Sequence, residues 1–327
     1  MSYFIKRLGI GFVTLWLVAT VCFTLTKLAG EEAAFGEKNP PPEVRAEIMH
    51  KWGMDRPIYE QYFMHMGKLL KLDSMESRKQ KGQTLRDILG VYFPSSCRLG
   101  ARALILALSF GIPIGVLCAV YHNRWMDNLG TLFALTGVSV PSFILSSFAV
   151  YFLSRKFGWL PATGWDRPVM TERQLAQVPG FIRGVATELS RTRLWIPAAC
   201  LGAFPFAAIL RLTRSSMLDA LNQDYVRTAR AKGLSSFRVI VRHALRNALT
   251  PVVTYLGPVT AGVLTGSLVV EKIFAIPGLG KFFIDSVSNR DVPLIMGLTV
   301  FYSALLISMN LFVDAIYPIL NPRLRKG

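Results

Sequence analysis

Six stretches of this chain contain no Asp, Glu, Lys or Arg: residues 8–26, 103–123, 128–154, 194–210, 247–270 and 292–313. A helix needs roughly 20 apolar residues to cross a hydrocarbon layer about 30 Å thick. Five of the runs reach that length or nearly so. The run at 194–210 is short, contains Pro197 and Pro205, and reaches span length by extending to Leu212 across Arg211. One such run is compatible with a buried helix of a soluble protein, but six in one chain are not. Only 17% of the residues are charged against 52% hydrophobic, where a soluble domain carries about 25% charged. Lys6-Arg7 before an apolar run resembles a signal peptide. The run is longer than such a signal needs and five others follow, so it reads as a retained first span.

The expected fold is therefore an all-α membrane protein with six transmembrane helices, at about 8–28, 96–121, 128–153, 194–213, 248–270 and 293–317. Pro113, Pro141, Pro205 and Pro258 fall inside these spans. Proline removes a backbone hydrogen bond and can kink a helix, which suits a transporter better than a plain anchor. The domain plan that follows is 1–28 as N-terminus and first span, 29–95 as an extracytoplasmic segment, 96–320 as a five-helix core, and 321–327 as a tail. Within the extracytoplasmic segment, Asn39-Pro40-Pro41-Pro42 breaks the chain, 43–52 and 57–72 are helix-compatible, and 73–84 is a loop. Residues 85–93 form a short amphipathic stretch. It either lies on the membrane or against a partner, or leads into span two.

The net charge of +17 raises the question of nucleic acid. Most of it sits on segments between spans and at the ends. Segment 211–246 carries eight basic and two acidic residues, and 154–193 seven basic and three acidic. Short cytoplasmic loops collect Lys and Arg. Six spans put both basic termini on one side, together with 211–246, and that side is assigned to the cytoplasm. The basic excess of 154–193 runs against the rule, although long loops influence orientation less. Membrane loops thus account for the charge without a nucleic-acid site.

Much chemistry is missing. Gly278-Leu279-Gly280-Lys281 resembles the end of an ATP-binding glycine loop, but Ala275 replaces its first glycine and Phe282 its hydroxyl residue. The four cysteines and four histidines show no ligand spacing, so no metal, cofactor or catalytic residue is assigned. The five longest runs carry no mid-membrane carboxylate of the sort an ion-coupled carrier uses. Glu271 and Asp314 lie near span ends and read as interfacial charges or caps.

The most informative loop is 214–247. Met217, Leu218, Leu221, Tyr225 and Ala229 recur at helical spacing up to Lys232. Gly233 then offers a left-handed cap. Ser235-Ser236 offer an N-cap, and Phe237, Ile240, Val241 and Leu245 begin a second helix. The product is a helix–turn–helix with small Ala229 and Ala231 beside the turn, ringed by Arg227, Arg230, Lys232, Arg238 and Arg242. It either docks in a cleft of another protein or rests on anionic lipid.

Residues 224–234, DYVRTARAKGL, resemble the E-A-A-x-x-x-G loop of permease subunits of ATP-binding-cassette importers. Gly233 and Ala229 match that pattern; Arg227 and Thr228 depart from it, as they do in the peptide-transporter branch. GMDRPIYEQY (53–62), SVPSF (139–143), LTRSSM (212–217), RHALRNALTPVVTYLGP (242–258), VVEKIFAIPGLGKFFIDSV (269–287) and RDVPLIMG (290–297) are similar to the same branch, best to the first permease subunit of oligopeptide importers. Segment 162–193 matches weakly. The resemblance implies a multi-pass subunit of a bacterial inner membrane that forms half of a peptide pathway. It also implies four kinds of partner besides lipid: a second permease chain, one or two ATPase subunits, an extracytoplasmic binding protein and the peptide. Asp224, Tyr225, Arg227, Ala229, Ala231, Lys232, Gly233 and Leu234 are then the ATPase-coupling residues. Pro277, Gly278, Leu279 and Gly280, in the outward turn, are candidates for a gate or substrate contact, or else form a rigid reverse turn. Import of dipeptides, nickel chelates or other small solutes is the neighbouring alternative. An ion-coupled secondary carrier and a non-transporting scaffold are the alternatives from other classes.

Overall fold

A computed structural model describes residues 2–28, 41–51, 53–70, 76–77, 82–161, 164–165, 167–171, 174 and 176–320. Among them the structure is helical, with the isolated antiparallel bridge Glu76–Thr84 as its β pairing. Five helical stretches are long and apolar enough to cross a membrane: Ile5–Leu28, Leu85–Val120, Thr192–Leu221, Thr250–Ile273 and Val292–Ile316. A sixth exists if the bent pair Trp125–Ser139 and Ser142–Lys156 is one span. The six charge-free runs thus each lie on such a helix or on the bent pair. Most of the loop expected at 73–84 and the tail 321–327 lie outside the described residues.

The chain divides into two compact units. The first holds the described residues up to Pro94 together with Leu279–Ser308. It contains α1 (Ser2–Leu28), α2 (Pro42–Lys51), α3 (Ile58–Leu70) and the start of α4 (Leu85–Val120). Phe23, Leu85, Ile88, Leu89, Leu279, Phe282, Leu294, Met296 and Leu298 form its core. Helix α1 turns Phe12, Trp16, Val21 and Leu25 outward. An exposed apolar side chain carries no hydration cost when its surroundings are lipid.

Helix α4 begins earlier than a bare span would. Thr84 and Asp87 cap it reciprocally: the Asp87 N–H donates to Thr84 Oγ1 at 3.2 Å, and the Thr84 N–H to Asp87 Oδ2 at 3.0 Å. This is a capping box with Asp in the third position. Leu85, Ile88 and Leu89 follow at helical spacing and are buried. The amphipathic stretch at 85–93 is therefore the first part of α4 itself. At 36 residues and about 1.5 Å rise each, α4 is longer than a bilayer core is thick.

The second unit spans Ser95–Gly278 and the described residues from Met309. It contains the rest of α4, α5 (Trp125–Ser139), α6 (Ser142–Val150) with a π-helical continuation Tyr151–Lys156, and α7 (Gly180–Ser190). Then come α8 (Trp195–Leu221), α9 (Asp224–Ala231), α10 (Thr250–Leu264) and α11 (Leu268–Ile273). Helix α12 (Gly280–Ser288) belongs to the first unit, and α13 (Val292–Leu320) starts in the first and ends in the second. Helix α8 is the centre of this unit. A methyl group on Gly202 would lie 2.8 Å from the Ala103 carbonyl oxygen of α4, and one on Gly137 of α5 would lie 2.9 Å from the Ala203 carbonyl oxygen of α8. Backbones this close exclude larger residues, a packing mode suited to lipid, where helices gain little from burying apolar surface.

Two expected spans differ in detail. Span three is broken rather than straight: its halves meet at 96°. Pro141 disfavours the helical conformation at Val140, which is extended at φ −91° and ψ 115°. Span five stops at Leu264, and the chain turns through Gly266 at φ +96° before α11. Pro113, Pro205 and Pro258 lie within α4, α8 and α10, which continue through them.

Candidate functional site

Helix α9 has eight residues, too few to be stable alone. It is held by an apolar cluster made of Ala119 from α4, Met217 and Ala220 from α8, Val226 and Ala229 from α9 itself, and Val239, Ala244 and Ala248 beyond the turn. Val226 is fully buried, a contribution of about 2 kcal/mol relative to exposure. Five of these eight residues are alanines, so α9 lies close against its supports.

The turn after α9 forms as the glycine signal implies. Gly233 takes φ +73°, the region that favours glycine. Its N–H donates to the Arg230 carbonyl at 2.9 Å, and the Leu234 N–H donates to that of Ala229 at 3.4 Å. No atom lies within 4 Å of where a Cβ on Gly233 would stand. Ser235 occupies the N-cap position, but its hydroxyl makes no capping bond; the Val239 N–H instead donates to the Ser235 carbonyl at 3.0 Å.

The eight coupling candidates separate into two sets. Ala229 is buried and Leu234 half-buried, both within the cluster beneath α9. Asp224, Tyr225, Arg227, Ala231, Lys232 and Gly233 are exposed. Asp224 and Arg227 stand 3.7 Å apart on open surface, where an ion pair contributes little. Arg230, Arg238 and Arg242 are exposed as well, so the surface is strongly cationic.

The structure adds a residue to this surface. Of the apolar residues that begin the second helix, Phe237 is 76% exposed and Val241 43%. Residues Val239–Leu245 are wound as a π-helix, in which hydrogen bonds run from i to i+5. Val239 and Ala244, five apart, therefore share the inner face. Phe237 is left as a bare aromatic among arginines. The signal available in the sequence was the Val239, Ala244, Ala248 spacing, which a 3.6-residue period does not select.

The turn that follows α11 is built around a buried acid. Glu271, expected as an interfacial charge or cap, is 2% exposed. Ser96 Oγ donates to Glu271 Oε1 at 2.7 Å, and the Ile276 N–H donates to the Glu271 carbonyl at 2.8 Å. A methyl group on Gly278 would overlap the Glu271 carboxyl group, and one on Gly266 would overlap its Oε1. The acid thus fills the space that both glycines leave open. Pro277 is exposed and Gly278 buried. In the other unit, Leu279 belongs to the apolar core and accepts from the Phe282 N–H at 3.0 Å, while Gly280 is buried at the start of α12.

Comparison with known proteins matches two family models. Residues 111–326 match the binding-protein-dependent transport system inner membrane component, and residues 1–97 match the N-terminal region of such membrane components. The chain is 38% identical to the dipeptide transport system permease protein DppB of Bacillus subtilis, covering 99% of this chain and 97% of that protein. It is 37% identical to the oligopeptide transport system permease protein OppB of Haemophilus influenzae, with 99% of each covered. It is 36% identical to the di/tripeptide transport system permease protein DppB of Pseudomonas aeruginosa, again with 99% of each covered.

Proposed function

Because the chain belongs to the family of binding-protein-dependent transport system inner membrane components, we propose that it forms half of a membrane pathway for peptides, oligopeptides foremost. The observation that carries this reading is the end-to-end similarity to proteins named as dipeptide, di/tripeptide and oligopeptide permeases. The chain is a transport subunit and not an enzyme; its partners are a second permease chain, ATPase subunits that hydrolyse the nucleotide, and an extracytoplasmic binding protein.

In this reading both termini and the 214–247 segment face the cytoplasm, and the helical segment between spans one and two faces outward. The exposed residues of α9 and its turn, Asp224, Tyr225, Arg227, Ala231, Lys232 and Gly233, meet the ATPase. Ala229 and Leu234 act from beneath by fixing α9 to α4 and α8. The basic surface suits a cleft rimmed with carboxylates, and Phe237 suits an apolar pocket within it. Closure of the ATPase pair displaces α9, and α8 carries that displacement into the membrane as rocking of the spans. At the outward turn, Pro277 is the accessible residue of the gate candidates, and Gly278, Leu279 and Gly280 are each buried.

The test is purification in mild detergent through a tag on this chain, followed by uptake in proteoliposomes. An ATPase, a second permease and ATP-dependent uptake of radiolabelled tri-alanine or penta-alanine are the expected results. Uptake by this chain alone, driven by a proton or sodium gradient, refutes the reading.

A further inference from the structure

A buried carboxylate at the start of α5 is paired with Arg214 of α8, outside the α9 turn. Asp127, in the first turn of α5, is 2% exposed. Arg214 of α8 reaches it with two donors: Nε to Oδ1 at 2.5 Å and an Nη to Oδ2 at 2.8 Å. The same Oδ2 accepts the backbone N–H of Asn123 at 2.9 Å and lies 3.0 Å from His122 Nδ1. Asn123 holds φ +60°, a conformation that a non-glycine residue adopts readily only with local hydrogen bonding. One carboxylate therefore fixes three pieces of backbone: the end of the α4–α5 turn, the start of α5, and α8 two turns before it leads into α9.

Burying a carboxylate is costly unless it is paired and hydrogen-bonded. A surface turn of this length closes well without one, so the pair does more than close the turn. Its two-pronged geometry fixes orientation as well as distance. Along their lengths α5 and α8 already touch backbone to side chain at Gly137. The ion pair adds a second fixed point near the α9 end, and two separated contacts prevent one helix from pivoting on the other.

We infer that Asp127 and Arg214 are positioning residues that join α5, the α4–α5 turn and the lower part of α8 into one lever, so that displacement of α9 moves all three together. This inference rests on the proposed docking of α9 with an ATPase. Packing links α9 to α4 and α8 through Ala119, Met217 and Ala220, and Ala134 of α5 packs with Ala207 and Leu210 of α8; the ion pair adds an orienting link to α5 near the α9 end. In its absence α5 stays packed on α8 along its length but is free to pivot at the α9 end, and part of each ATP-driven displacement is lost within the bundle.

The experiment uses the assembled complex, purified through a tag on this chain. Spin labels at Thr228→Cys on α9 and Leu132→Cys on α5, both exposed sites, are placed in a background lacking the four native cysteines. Their separation is measured without nucleotide and with ATP and vanadate, and transport of tri-alanine and penta-alanine is measured per ATP hydrolysed. With the pair intact the label separation is the same in both states. Asp127→Asn changes it between states and lowers peptide transported per ATP about tenfold, while the ATPase stays bound and active. Arg214→Lys, which keeps the charge and loses the fork, falls between. Should Asp127→Asn fail to assemble, the double variant Asp127→Leu with Arg214→Leu leaves no unpaired buried charge and is expected to show the same uncoupling. Unchanged separation and unchanged transport per ATP, in whichever variant assembles, overturn the inference. Absence of an ATPase from the wild-type complex overturns the docking reading, and this inference with it.

Discussion

Replacement of Gly233 separates a backbone requirement from a steric one. The residue sits at φ +73° with no atom near its Cβ position, so within this chain a side chain meets no obstacle. The cost of a substitution is then conformational. A left-handed backbone costs about 1 kcal/mol for alanine and about 2 kcal/mol for a β-branched residue. Asparagine tolerates this region and costs less than alanine. These figures lower the ratio of closed to open corner about fivefold for Gly233→Ala and about thirtyfold for Gly233→Val. The corner's two hydrogen bonds, at 2.9 and 3.4 Å, are what the open form loses. Retention of the ATPase after detergent washing, and peptide transported per ATP, should therefore rank Gly, then Asn, then Ala, then Val. Asparagine and valine are similar in volume, so crowding against a partner predicts that they fail together. That outcome refutes the conformational argument, and wild-type behaviour of Gly233→Val refutes the role of the corner altogether.

Three further outcomes follow from the packing. Phe237→Ala should weaken ATPase binding about tenfold or more with unchanged thermal stability, because 76% of the residue is exposed; a lowered melting temperature would mean that it packs within this chain. Gly278→Ala forces the buried Glu271 carboxyl group to move, since a methyl group there overlaps it. It should destabilise the detergent-solubilised protein by more than 1 kcal/mol. Adding Glu271→Ala should recover part of that loss, and strict additivity in thermal unfolding would show that the two do not meet. Gly202→Leu cannot be accommodated beside the Ala103 carbonyl oxygen and should abolish the folded bundle; normal yield and melting behaviour would contradict the close approach of α4 and α8.

What could be read directly from the residues was set by solvent and by local conformation. Charge-free runs mark spans because a charge in hydrocarbon is expensive wherever it sits in the fold. Gly233 announced its corner because only the local backbone decides which residue tolerates a positive φ. The helix–turn–helix at 214–247, its basic surface and its small residues were legible for the same reason.

Other features depend on residues that meet only after folding. The apolar residues at 237, 240, 241 and 245 announced a second helix, but not the π-helical winding of Val239–Leu245 that puts Val239 and Ala244 on its inner face. Pro141 promised a disturbance, yet its size, a 96° change of direction, follows from how α5 and α6 pack on their neighbours. Glu271 reads as an interfacial charge or cap, and nothing local announces that Ser96, 175 positions away, donates to it. Asp127 and Arg214, 87 positions apart, share no local pattern that pairs them. Composition and periodicity report how each residue relates to water, lipid and its own helical turn, and these fix the class of the chain. Which distant groups share a buried site depends on helices approaching within a methyl group's width, and that is decided only by the packed structure.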